Sequence, residues 1–134
     1  MSARRKARKR ALDFLYEADL RGALALELYS SRPSEELSQE PYVRSLLEGV
    51  SEHRDRLDEL IITYSEGWDM DRMPAIDRNL LRLSIYEILW AHDIDEKVAI
   101  NEAVELAAEL STQDSSRYIN GVLGRIVAIK STLI

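Results

Sequence analysis

The chain has 134 residues, with 24 acids against 18 Lys and Arg, a formal charge of −6 and no cysteine. That length supports one domain, or two small helical halves sharing an interface, without disulfide staples. The composition excludes a disulfide framework and a thiolate metal site. No apolar run reaches the length of a bilayer span or follows the basic start as a signal segment would, so the expected setting is the cytoplasm.

The net charge hides an asymmetry. Residues 1–10 hold six bases (Arg4, Arg5, Lys6, Arg8, Lys9, Arg10) and no acid, which leaves the remainder with a balance of −12. A mostly acidic body with one basic arm fits a local phosphate contact and not a protein that coats itself in nucleic acid. Residues 4–20 read as a helix whose apolar side is Ala7, Ala11, Leu12, Leu15 and Leu20. The basic cluster occupies its first turns, where cations oppose the helix dipole. Two readings of the cluster stay open: an idle solvated tail, or a phosphate-binding arm that orders on contact and weakens with salt.

Gly22 interrupts this helix, and Ala23 to Tyr29 form a short apolar segment. A loop with a proline stop is expected at 30–34, and an exposed or disordered acidic stretch at 35–40. Pro41 suits a first helical position. From Tyr42 the apolar pattern predicts one long helix to about Glu66, within which His53 reads as solvated and Gly49 as a bend or a place for a close neighbour. Gly67-Trp68 and Pro74 mark a seam between halves of about 1–67 and 68–134, with Trp68 packing in it and residues 69–73 as one turn.

Residues 75–92 form the most apolar helix, expected in the middle of a bundle. Its polar strip of Asp77, Arg78, Arg82 and Glu87 reads as surface solvation and ion pairs. A helix follows from Val98, with Asp95 as its N-cap. Ile100, Ala103, Val104, Ala107 and Leu110 line its apolar face, while Glu102, Glu105 and Glu109 read as solvated. Ser111-Thr112-Gln113 breaks it, and Asp114-Ser115-Ser116 supplies capping oxygens to the last helix. In that helix Gly121 and Gly124 suggest close approach of another backbone. The fold class is therefore all-α, six or seven helices in two packed halves.

No catalytic constellation, phosphate loop, metal cluster or cofactor motif stands out, which argues against an enzyme. The basic arm with Tyr16 and Tyr118 as stacking aromatics fits RNA recognition. A core role for Tyr118, a DNA-binding helical regulator, and an interaction subunit or homodimer burying the Tyr16/Tyr118 surface remain as alternatives.

Three ordered blocks carry a resemblance. They are Ala3-Arg4-Arg5-Lys6-Ala7-Arg8 leading to Ala11, Leu15 and Tyr16; Asp77 to Ile88; and Val98 to Ala107 followed by Tyr118-Ile119-Asn120-Gly121-Val122-Leu123. Together they resemble the NusB family of transcription antitermination factors. The resemblance implies binding of single-stranded boxA RNA with NusE, a ribosomal protein, inside RNA polymerase complexes that resist termination on ribosomal RNA operons. It implies RNA contacts at Arg4, Arg5, Arg8, Asp114 and Tyr118, and a NusE-facing side at Tyr16, Leu20 and Asp77. It implies structural roles for Asn101 and Asn120. Ala108 and Gly124 depart from the family's common lysine and aspartate, which leaves fewer cations near the second RNA segment.

Overall fold

The computed structural model describes residues 2–32 and 40–133. These form seven α-helices, and no strand occurs among the described residues: α1 (Ala3–Arg21), α2 (Ala25–Ser31), α3 (Glu40–Glu52), α4 (Arg54–Tyr64), α5 (Ala75–Trp90), α6 (Glu96–Leu110) and α7 (Gln113–Leu133). The all-α class is as expected. The Pro33 stop and almost all of the acidic stretch lie outside the described residues.

Local chemistry sets most boundaries. The Ser2 hydroxyl accepts from the Arg5 N–H at 3.1 Å and starts α1. Gly22 ends it in the left-handed region at φ 66°, where a side chain would be strained. The Asp95 carboxylate accepts from the Lys97 N–H at 2.8 Å and opens α6. A 3₁₀ turn, Met70–Arg72, lies between α4 and α5, and Pro74 precedes α5.

The single long helix expected from Tyr42 is two helices. His53 adopts φ −104°, ψ 14°, outside helical geometry, and separates α3 from α4. Its ring is half-buried and lies flat on Trp90, with centroids 3.9 Å apart and planes 9° apart, so it is not the solvated histidine that its charged neighbours suggested. The break has a packing reason. Leu46, Leu47 and Val50 precede it and Leu57, Leu60 and Ile61 follow it, and all six are buried. A straight helix over 42–64 would run about 34 Å, longer than the roughly 24 Å of α5 on which both sets pack.

Helix α5 is the central element, packing against α1, α3, α4, α6 and α7. Gly49 of α3 meets it closely: a Cβ there would fall on the Tyr86 ring. One continuous set of buried residues runs from Ala7 to Ile126 through both halves. The polar strip of α5 is not solvated as expected. Asp77, Arg82 and Glu87 are all buried, because each meets an internal partner from another helix. Arg82 Nε donates to Asp58 of α4 at 2.7 Å, and its guanidinium also reaches Asp19 of α1 and Asn79. Arg78 Nε and Asn79 Nδ2 both donate to Asp19 at 2.8 Å. This network ties α1, α4 and α5 together.

Two further expectations fail in α7. Its capping oxygen is Thr112 Oγ1, which accepts from the Ser115 N–H at 3.0 Å, and not the Asp114–Ser116 side chains. Gly121 and Gly124 face outward: nothing lies within 4 Å of a Cβ at Gly124, and only the tip of Arg125 approaches Gly121.

Candidate RNA interface and partner surface

The basic start of α1 is folded helix, not tail, and it is already occupied. Its cations meet a row of acids from the end of α5 through α6. Arg4 pairs with Asp93 at 2.9 Å, and Lys9 with Glu109 at 2.7 Å. Arg5 Nε donates to Glu102 at 2.6 Å while its other end meets Glu105. Glu102, Glu105 and Glu109 recur at three-and-four spacing along one side of α6, so their absence from the apolar stripe marks a seam against α1 and not open solvent. Lys6 is exposed and carries no ion pair among the described residues.

Arg8 behaves differently. Its side chain is 4% exposed, and Nε donates to both oxygens of Glu87, itself 2% exposed, at 2.9 and 3.0 Å. The Tyr42 hydroxyl donates to the same carboxylate at 2.6 Å. Burial alone would weaken the Arg8 charge, but Glu87, with help from Tyr42 and Glu102, more than restores it, so its proton is held more firmly than on a free guanidinium. Burial and the Glu87 charge likewise push the Tyr42 phenol up. The Arg8 side chain, expected in an RNA-facing arm, is thus packed inside this chain against Glu87. The Arg4 guanidinium also lies over the Tyr42 ring, 4.7 Å from its centroid.

The second group sits at the other end of the bundle. The Asp77 carboxylate is fully buried and accepts from Ser115 Oγ in the first turn of α7 at 2.6 Å. Ser115 Oγ in turn accepts from Thr112 and Ser111 at 2.9 and 3.2 Å. Asp77 was expected on a partner-facing side; within this chain its charge points inward, because α7 closes over it. Its other oxygen, Oδ1, has no hydrogen-bond partner among the described residues.

Above that contact lies a groove of about 440 Å³, lined by Glu66, Asp114, Arg117, Tyr118, Gly121 and Arg125. Asp114 and Arg117 are exposed. Tyr118 is half-buried; its hydroxyl donates to the Glu66 carbonyl and its ring packs edge-on against Trp68, 4.3 Å between centroids. Burial pushes that hydroxyl's pKa up. Arg125 donates to the Tyr64 carbonyl at 2.8 Å, so α7 also holds the end of α4.

Tyr16 and Leu20 follow Arg5 and Lys9 on one stripe of α1, at spacings of four, seven and four. Leu20 is 60% exposed and Leu24 62%, while Tyr16 is half-buried. Asp19 beside Leu20 reaches the start of α5, so this apolar patch belongs to the Asp77/Asp114 end of the bundle. The expected residues therefore fall into two groups, Arg4, Arg5 and Arg8 at one end and Leu20, Asp77, Asp114 and Tyr118 at the other. Arg4 and Leu20 stand about 24 Å apart along α1. Sequence reasoning overlooked Tyr42, whose only local signal was its place beside Pro41. It also overlooked Glu66, which reaches the groove from another helix end.

Among the described residues, no group of three or more His, Asp and Glu is placed to hold a metal, and no helix is long and apolar enough to cross a membrane. Comparison with known proteins gives one answer at every level. The family model described as the NusB family matches residues 5–128. The transcription antitermination protein NusB of Salinispora arenicola is 55% identical over 130 residues, covering 94% of this chain and 96% of that protein. NusB of Saccharopolyspora erythraea is 54% identical, covering 99% and 92%. Among solved structures, T. maritima NusB superposes with a TM-score of 0.84 at 30% identity, covering 96% of this chain and 92% of that one. A chain from the crystal structure of antitermination factors NusB and NusE in complex with dsRNA gives 0.81 at 25% identity, covering 96% and 98%. On the match over residues 5–128 and these near full-length likenesses, the chain belongs to the NusB family.

Proposed function

We propose that the chain is a transcription antitermination factor that binds single-stranded boxA RNA together with the ribosomal protein NusE. It joins RNA polymerase complexes that transcribe ribosomal RNA operons, and it acts in the cytoplasm as a binding factor and not as an enzyme. The observation that carries this reading is the family match over residues 5–128, joined to a likeness covering 96% of the chain to a protein crystallised with NusE and dsRNA. In this reading Arg4, Arg5 and Lys6 meet phosphate, and the Asp114–Tyr118 groove takes a second stretch of the RNA. Arg8 and Asp77 act from beneath, the first by fixing α1 against α5 and the second by fixing the start of α7. Tyr16 and the exposed Leu20 face the protein partner.

The test is a fluorescence titration of a boxA-like single-stranded RNA, with and without NusE, at two salt concentrations. A scrambled RNA, an RNA duplex and a DNA duplex run beside it. Tighter, sequence-dependent binding in the presence of NusE is expected. Equal, feeble binding to all four nucleic acids would overturn the reading in favour of an interaction subunit without RNA specificity.

A further inference from the structure

We propose that the exposed carboxylates Asp93, Glu105 and Glu109 act as an internal stand-in for RNA phosphate, and so set how tightly the start of α1 takes up RNA. The inference rests on the RNA-binding reading above and adds to it a group of residues that hold the RNA site in check. Three cations of the basic start, Arg4, Arg5 and Lys9, each meet one exposed acid along the same seam. A carboxylate offers a guanidinium or ammonium the same charge-assisted contact as a phosphate oxygen. Phosphate reaching those cations must therefore displace an acid that already satisfies them.

Exposure separates the acids into two sets. Asp93, Glu105 and Glu109 have side chains 64%, 58% and 45% exposed. Glu87 and Glu102 are 2% and 14% exposed and hold Arg8 and the inner side of Arg5. The inner pair keeps α1 docked while the outer acids let go. The outer pairs are weak enough to exchange: each surface pair shifts an equilibrium by a factor of roughly 1.4 to 5. The seam thus lowers the affinity of the isolated chain without closing the site, and contacts made elsewhere, in the α7 groove or by the protein partner, supply the difference.

The experiment compares the full-length chain with E105Q/E109Q in a titration of fluorescent boxA-like single-stranded RNA at low salt. A control, E48Q/E59Q, removes two exposed charges from α3 and α4, where the acids pair with Arg44 and Arg56. Affinity is expected to rise roughly two- to twentyfold in E105Q/E109Q and clearly less in the control. In an R5A/K9A background the same two glutamines should have little effect, since the cations they release are gone. An unchanged affinity, a rise no larger than the control's, or a full rise in the R5A/K9A background overturns the competition. Absence of RNA binding by every form, with and without NusE, would instead remove the RNA reading itself and this inference with it.

Discussion

Removing the guanidinium of Arg8 would leave Glu87 charged and buried, with the Tyr42 hydroxyl as its remaining side-chain donor. Breaking a buried pair from one side typically costs about 3–5 kcal/mol. Arg8→Ala should therefore lower the unfolding free energy by that order, measured by urea denaturation followed by helical circular dichroism. Arg4→Ala should shift it by less than about 1 kcal/mol, because its pair with Asp93 is exposed. A variant carrying Arg4, Arg5 and Arg8 changes together would confound folding with binding. Ser115→Ala argues the same way at the other end of the bundle. It removes the donor to the fully buried Asp77 carboxylate, with an expected cost of about 1–3 kcal/mol. Amide exchange in the first turn of α7 should quicken with it. Exchange there as slow as in the wild type would mean that the turn is held by Thr112 alone.

At the scale of elements, the α3–α5 crossing is set by a missing side chain. A Cβ at Gly49 would land on the Tyr86 ring, so Gly49→Ala must push α3 outward or turn the ring. Overpacking of this kind costs about 1–3 kcal/mol. Pairing it with Tyr86→Leu should recover part of the loss in a double-mutant cycle followed by thermal melts. Additive losses would place the strain elsewhere. This crossing also marks what the sequence could disclose. Most of the helices, the Asp95 cap and the central place of α5 were legible, because apolar spacing and capping residues are local signals. The α3–α4 break was not, since His53 leaves the helix to lie on Trp90, a residue 37 positions later in the chain. Nor was the fate of the charges. Arg5 finds Glu102 across 97 residues and Arg8 finds Glu87 across 79, and no local period distinguishes an acid facing water from one facing a cation on another helix. Of the expected site, the exposed members (Arg4, Leu20, Asp114) stand where a ligand can reach them. Arg8 and Asp77 stand inside, and only the packing of α5 and α7 reveals it.

For the whole molecule, pH acts through the network that joins α1, α4 and α5. Burial pushes the Asp19 carboxyl up, but the hydrogen bonds from Arg78 and Asn79 and the charges of Arg78 and Arg82 outweigh it, so the group sits below the ordinary aspartate range. The unfolded chain titrates this group near about 3.9. Below that pH the unfolded state binds the proton more readily, so the stabilisation is complete above it and is lost as pH falls through the folded value. Glu17, lowered to about 2 by Arg32 and Arg21, leans the same way from the surface. Urea midpoints should hold steady from pH 7 to about 5 and fall below about 4. In Asp19→Asn the midpoint should be lower at neutral pH and the acid slope shallower. An unchanged slope would assign the acid sensitivity to other carboxylates.

Salt acts on the molecule's other charged surface, and here the overall balance matters. A chain of net charge −6 repels nucleic acid as a body. In the proposed reading its attraction for RNA comes from a few contacts, those at the start of α1 among them, so the number of phosphates neutralised should be small. Each such contact contributes about 0.7 to the slope of log affinity against log salt for a single strand. Arg4→Ala/Arg5→Ala should therefore flatten the slope by about 1.4; the loss of unfolding free energy should come chiefly from Arg5, whose inner partner Glu102 is 14% exposed, and not from the exposed pairs, each worth less than about 1 kcal/mol. Weaker binding with an unchanged slope would mean that these two cations shape the helix end without touching phosphate. The RNA would then be held chiefly at the α7 groove, where Arg117 is exposed and the half-buried Tyr118 is braced by Trp68.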